Sequence, residues 1–435
     1  MSGAPVSSAL LLAALCSTGG HLGPWTAANA PPLGDLSHAE SSEAGAATPD
    51  GPGAAAEAPK HPTWTDKGSL SAFADAYAGV NILLPSAGTP NALRAFDTSN
   101  GFSLHWAGLD AEYEGEVVGG AVSLRLGPSA TVYAGTDASI SLQYIKQAYV
   151  RWKPKIASGR LALDLGKFDT LYGAEVADSQ RNFNYTRGAL SWLGQPLFHT
   201  GLRATAVLSD RFSVLAVGVN GWNNTLDNND AKSGGVQLVF SGDRLDTLLG
   251  YMVGAENDRQ TVINCGTDTS FDTSTARCFD APGAVASSTT VVARGVNRRL
   301  RHFADLVVAG EVTKKLSVFA NADLGYDEAI VNPVSGAYDP SVWYGASLGT
   351  RYALTPTFAT AARGEFYQDL DGFTTPVPLM LGTGTVTLEF APTNMLVLKV
   401  DSRYDHATEA VFVGRDAGTS SNQLTFTLGA VIMTP

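Results

Sequence analysis

Nowhere does this 435-residue chain hold the ~18–20 consecutive apolar residues that a membrane-spanning helix needs. Charge is scarce as well: Asp, Glu, Lys and Arg make up 16% of the chain, against the roughly 25% usual in soluble domains. Basic charge is the scarcer sign, and a formal net charge of −12 leaves no footprint for nucleic acid. Only three cysteines occur. The seven histidines are scattered, and H-E-x-x-H, G-x-S-x-G and phosphate-loop patterns are missing. These absences speak against an enzyme, a cofactor and a metal centre. Asn228-Asn229-Asp230 offers oxygens but lacks calcium-loop spacing, and reads as a polar turn.

What the chain does have is a rhythm. From about residue 70 onward, short runs alternate apolar and polar residues, which gives a strand one greasy and one wet face. About sixteen runs can be marked, each near the ~9–11 residues of a tilted membrane-crossing strand. They fall at 70–83, 102–113, 117–126, 139–152, 160–168, 198–208, 212–222, 234–240, 245–255, 300–312, 316–326, 341–354, 357–370, 384–390, 395–404 and 422–433. Tight turns such as Ser209-Asp210-Arg211 alternate with long polar loops. The expected fold is all-β: a single transmembrane antiparallel β-barrel with short periplasmic turns and long external loops.

The domain reading follows. Residues 1–30 read as a signal peptide, with an apolar Ala9–Leu15 core and the cleavage pattern Ala28-Asn29-Ala30, although no Lys or Arg precedes it. Residues 31–66, rich in Ala, Pro, Gly, Ser and Glu, read as a disordered periplasmic spacer. The barrel should occupy 67–435. Cys16 would leave with the signal. Cys265 and Cys278 remain in one polar loop, and export favours a disulfide between them, with two free thiols as the alternative.

Parity along the runs sorts residues onto two faces. Leu161, Leu163 and Leu165 oppose Asp164, and Leu396, Leu398 and Val400 oppose Lys399, Asp401 and Arg403. Charge on the lipid face costs about 2–4 kcal/mol at the midplane, so charged residues should point inward. This places Arg125, Arg151, Arg203, Arg351, Arg363, Lys399 and Arg403 inside as pore-lining cations, with Asp164, Glu365, Glu389 and Asp401 as acidic counterparts. The loop Asp169–Pro196, with Glu175, Asp178, Arg181 and Arg187, is placed to fold inward as a constriction. It could set an acidic loop against a basic wall, or its charges could simply pair with the wall. His199 and Arg203 suit either a pore-lining cation or a buried pair holding that loop. Trp106, Tyr113, Trp152, Trp222, Tyr326, Tyr344, Tyr352 and Tyr404 lie near run ends, as membrane-interface aromatics do.

The ordered segments Gln147-Ala148-Tyr149-Val150, Gly166-Lys167-Phe168, Phe183-Asn184-Tyr185-Thr186-Arg187, His199-Thr200-Gly201-Leu202-Arg203 and Asn220-Gly221-Trp222 resemble those of the OmpL-like outer-membrane β-barrel porins. Ala95–Leu104 is similar to that family's early loop and second strand. The resemblance implies a diffusion porin in the outer membrane of a Gram-negative bacterium. Its expected partners are small hydrophilic solutes or ions, outer-membrane lipid and the barrel insertion machinery. Outer-membrane barrels usually end in an aromatic residue, whereas this chain ends Ile432-Met433-Thr434-Pro435. A homotrimer is the assembly a sixteen-stranded count allows. The alternatives are a plugged adhesin or structural anchor, and a ligand-specific uptake channel.

Overall fold

The computed structural model describes residues 67–155, 160–265, 269–272, 277–280, 287–332 and 336–434. The expected signal peptide and spacer lie outside the described residues. The strands, in chain order, are β1 (Gly68–Asn81), β2 (Gly101–Glu114), β3 (Val118–Leu126), β4 (Ile145–Trp152), β5 (Leu161–Asp169), β6 (Phe198–Ser209), β7 (Phe212–Val219), β8 (Ser233–Ser241), β9 (Leu245–Ala255), β10 (Gln260–Cys265), β11 (Thr269–Asp272), β12 (Arg277–Asp280), β13 (Ser287–Val292), β14 (Leu300–Thr313), β15 (Leu316–Asn332), β16 (Ala337–Ala353), β17 (Phe358–Asp369), β18 (Leu379–Thr393), β19 (Leu396–Ala407), β20 (Phe412–Val413), β21 (Thr419–Ser420) and β22 (Asn422–Met433).

Sixteen of them, β1–β9, β14–β19 and β22, form one closed barrel. Every neighbouring pair is antiparallel, and β1 closes on β22 through pairs such as Tyr77↔Gly429. Closure leaves no unpaired edge, as backbone in a lipid core requires. β10–β13 make two small hairpin sheets in the long fifth loop, and β20–β21 a third in the last loop. Cys265 and Cys278 form a disulfide in the fifth loop.

The two faces follow the sequence parity. On β18, Val386 and Leu388 are exposed on the outer wall while Thr385 and Thr387 are buried within. On β19, Val400 and Tyr404 face out, and Lys399, Asp401, Arg403 and Asp405 face in. All sixteen expected runs become barrel strands, but three features shift. The fourth strand starts at Ile145, because Pro128 opens a short helix, α1 (Pro128–Ala134), and a 3-10 segment, Gly135–Ile140, continues from it into the expected strand. Proline fixes φ near −65° and so suits a first helical turn. β15, β16 and β18 extend past their expected ends: β18 runs Leu379–Thr393 where 384–390 was expected, and Glu328↔Pro340 and Ile330↔Tyr338 continue the β15–β16 ladder as a projecting hairpin.

The third correction concerns aromatics. Trp152, Tyr344, Tyr352 and Tyr404 sit on the outer wall, whereas Trp106 and Trp222 are buried inside. A bulge explains Trp106. Asp75 pairs with Trp106 and Ala76 with Leu104, so His105 is an extra residue. A bulge breaks strict alternation, and both His105 and Trp106 point inward, stacked at 4.4 Å. Trp222 lies on the fourth loop, edge-on to Phe303 at 5.1 Å.

Candidate functional site

The site is built on the third loop, 170–197, which joins β5 to β6 and is buried along nearly its whole length. Its composition explains this. Leu171, Tyr172, Phe183, Leu190, Trp192 and Leu193 are too apolar to remain in water, and the lumen offers an apolar wall to receive them. Tyr172 meets Phe303 edge-on at 5.5 Å, and Phe183 meets Phe319 at 5.5 Å. A short helix, α2 (Ala189–Leu193), ends where Trp343 Nε1 donates to the Gly194 carbonyl at 3.1 Å.

Polar contacts then bind the loop to walls on different sides. Toward β3, Arg125 donates from Nε and Nη2 to the two Asp178 carboxylate oxygens, both at 3.0 Å. Toward β17, Arg363 Nη1 donates to Glu175 at 2.5 Å and to the Thr186 carbonyl at 2.7 Å. β3 and β17 are six strands apart around the ring. Between them, Asp401 on β19 accepts from the Thr186 backbone at 2.8 Å, and Lys399 Nζ donates to the Ser179 and Asn182 carbonyls. Arg403 Nη1 donates to the Arg187 carbonyl at 2.5 Å, and Asn184 donates to Thr387 Oγ1 at 2.6 Å. Gly188 permits a close approach to two carboxylates. A Cβ there would stand 2.1 Å from Glu365 Oε1 and 2.6 Å from Glu175 Oε2.

The other residues expected inside also meet carboxylate or guanidinium partners. Asp164 takes Arg151 at 2.7 Å on one side and Arg203 at 2.7 Å on the other. Arg351 and Lys399 flank Glu389 at 2.5 and 3.7 Å. Glu365 accepts from Arg363 Nε at 3.1 Å and from the Ala189 backbone at 3.0 Å. The two loop acids therefore do not face one basic wall across open space: Glu175 is tied to Arg363, and Asp178 to Arg125. Burial alone would push the Asp178 carboxyl up, but the Arg125 and Lys146 charges and the Arg125 hydrogen bonds hold it well below the usual carboxylate range. His199 and Arg203 are not partners. His199 bridges Thr170 Oγ1 at 3.0 Å and the Gly221 carbonyl at 3.1 Å, so it fastens the foot of the loop.

Several anchoring residues escaped the sequence reading. Asp75 on β1 accepts from Ser179 and from Tyr185 Oη, the latter at 2.7 Å. Arg94, in the first loop, turns inward to Asp97 and Asp405, both at 2.8 Å. Asn321, Asp305 and Asp323 receive the loop's two ends. Parity along β1 would have found Asp75, since it alternates with the outward Ala74 and Ala76. Nothing local marks Arg94.

A sixteen-stranded closed barrel with an apolar outer band, charged inner face and inward third loop is a porin architecture. Residues 67–433 match the model of the beta-barrel porin-2, OmpL-like family. The chain belongs to that family. This OmpL-like porin is an outer-membrane channel protein. Among solved structures, it is similar to the trimer form of in-vitro folded OmpT of Vibrio cholerae, at TM-score 0.53 and 11% identity, over 85% of this chain and 100% of that one. It is also similar to Pseudomonas putida OprB, at 0.53 and 14%, over 85% and 94%. An anion-selective porin from Comamonas acidovorans aligns at 0.50 and 10%, over 84% and 99%. At such identities these likenesses describe the fold of the OmpL-like porin alone. No curated protein matches it.

Proposed function

We propose that this porin passes ions and small hydrophilic solutes by diffusion through a narrow route beside its third loop. The observation that carries the reading is the loop's double attachment, Asp178 to Arg125 and Glu175 to Arg363. A segment fixed to walls six strands apart crosses the lumen rather than swinging in it. A barrel of this strand number is wide enough for an aqueous channel, so the loop sets the size limit. In this reading Arg125, Arg151, Arg203, Arg351, Arg363, Lys399 and Arg403, with Asp164, Glu175, Asp178, Glu365, Glu389 and Asp401, form the charged lining. No catalytic step is assigned to it. The proposed assembly is a homotrimer, in keeping with the trimer form of OmpT.

A plugged anchor is the second reading, and one observation favours it. At the level of the loop the inward side chains of β17, β19 and β22 are buried, Arg363, Lys399, Asp401 and Thr427 among them. Single-channel recording of refolded protein in planar bilayers, with a salt gradient, separates the two. Small discrete steps with conductance linear in salt support the diffusion route. Silence from protein that circular dichroism shows to be folded leaves the anchor.

A further inference from the structure

We propose that the outer wall at the external ends of β9 and β14–β16 binds a phosphate-bearing lipid of the outer leaflet. Two features of these strands carry the inference, a polar cluster at the rim and an apolar hollow below it. In the cluster, the Tyr251 hydroxyl meets His302 Nδ1 at 2.7 Å, and the His302 ring lies 5.9 Å from that of its cross-strand partner Tyr326. Above them the Arg299 guanidinium stacks on the Tyr338 ring at 3.5 Å, and its Nε has no hydrogen-bond partner. Glu328 is the acidic neighbour, 4.0 Å from Arg299, and it also accepts from the Leu300 backbone at 3.3 Å. Arg298 and Arg294 are exposed. Among the described residues neither forms an ion pair, whereas Arg259 of the same loop is held by Asp230 at 2.5 Å. The second, sixth and seventh external loops hold no Lys or Arg, and the eighth holds Arg415 alone. The unpaired cations of the rim therefore gather over this one sector.

The hollow begins directly below. Ala304, Leu324 and Tyr344 form one cross-strand row under His302 and Tyr326. In the next two rows, Ala322, Ala346 and Gly364 stand between the exposed Leu306, Leu348 and Phe366. Small residues between long ones leave a depression of about 440 Å³, open toward the lipid. The two features ask for different parts of one molecule. A guanidinium matches a phosphate in a forked geometry, and clustered basic side chains at a membrane surface attract anionic head groups. Tyr and His belong at the head-group level, and an apolar depression beneath them receives a hydrocarbon chain. A free phosphate ion would use only the rim, and an uncharged lipid only the hollow. A lipid that carries phosphate above its chains uses both. The inference rests on placement in the outer membrane and is independent of whether the barrel conducts.

The test is native mass spectrometry of the refolded barrel in detergent, titrated with lipid A, with dephosphorylated lipid A and with inorganic phosphate. The expected result is saturable binding of lipid A, with the dephosphorylated lipid bound at least about tenfold more weakly, as loss of charge-assisted hydrogen bonds implies. Inorganic phosphate should neither bind nor compete at the same concentration. Arg298→Gln/Arg299→Gln should weaken lipid A by a similar factor. Gly364→Leu fills the hollow without touching the rim charges, and nothing lies within 4 Å of a Cβ added there, so the barrel should still fold. It should weaken lipid A as well. Arg259→Gln, whose cation already has a partner, should leave binding unchanged. Equal binding of both lipids overturns the proposal, because the phosphate is then not recognised. Competition by inorganic phosphate overturns it too, since the rim would then be an ion site. So does lipid A affinity unchanged in both the rim and the hollow variants, which places the lipid elsewhere. A Gly364→Leu barrel that loses subunits while keeping its lipid assigns the hollow to a second copy of the chain and likewise overturns it.

Discussion

Arg125 and Asp178, 53 residues apart, form a two-pronged pair in which each carboxylate oxygen takes one guanidinium N–H at 3.0 Å. Lys146 stands 3.4 Å away as a second cation. Both partners are buried, so removing one strands the other's charge. Breaking a buried pair this way costs about 3–5 kcal/mol. Asp178→Ala should fall near the lower end, about 3 kcal/mol, because Arg125 keeps Asp110 at 2.9 Å. Urea unfolding in detergent measures it, and a loss under about 1 kcal/mol, the usual worth of an exposed pair, would mean the pair does not hold the loop.

The same pair gives the pH dependence a sign. Asp178 is held well below the usual carboxylate range by Arg125 and Lys146, against the upward push of burial. A depressed folded-state pKa means that the unfolded chain binds the proton more readily. The stabilisation is therefore complete above the unfolded value near ~3.9 and fades as pH falls toward the lower folded value. The wild-type urea midpoint should lose this contribution only below about pH 4. Asp178→Asn should show a shallower acid decline. Equal slopes would assign the acid sensitivity to other carboxylates.

The barrel was legible because a strand's period is local. Lys399, Asp401 and Arg403 alternate with Val400 and Ser402 in the sequence and face inward on β19 as that alternation requires. The site was legible only where it used the wall. Arg125, Glu365 and Asp401 follow from parity, but their partners come from a loop whose path is tertiary. Asp75 was within reach of parity along β1, whereas Arg94 needed knowledge of where the first loop turns. The bulge at His105 also hid two inward rings, because one extra residue reverses parity without a Gly or Pro to mark it.

Gly188 offers a second probe of the loop's fit. An added methyl would meet Glu365 and Glu175 oxygens at 2.1 and 2.6 Å, and both carboxylates are already held by Arg363. Overpacking of this kind costs about 1–3 kcal/mol. Gly188→Ala should lose that much in urea unfolding and should alter unit conductance as the loop shifts. Gly382→Ala, where nothing lies within 4 Å of the added Cβ, is the control and should change neither.

The Cys265–Cys278 disulfide closes a segment with a sequence separation of 13, within the fifth loop and away from the barrel ladder. Its entropic benefit, roughly 3 kcal/mol for a closure of this length, belongs to the loop. The Cys265→Ser/Cys278→Ser variant should keep the barrel's thermal midpoint and become more readily cut by trypsin between Arg259 and Arg299. A lowered barrel midpoint would mean that the loop contributes to barrel stability.

Exposure should decide which cations govern ion preference. The Arg351 side chain is 32% exposed beside Glu389, whereas that of Arg363 is fully buried between Glu175 and Glu365. A charge that mobile ions can approach acts on them through water, while one sealed by two carboxylates presents almost no net field to them. Arg351→Gln should therefore move the reversal potential in a salt gradient toward cation preference and leave the urea midpoint within about 1 kcal/mol, as for a part-exposed ion pair. Arg363→Gln should do the reverse, lowering stability by several kcal/mol as a broken buried network does and releasing Glu175 and the Thr186 carbonyl from β17. If Arg363→Gln shifts the potential more than Arg351→Gln in a folded barrel, ions pass between the loop and β17, and the route lies on the side of the lumen that looks closed.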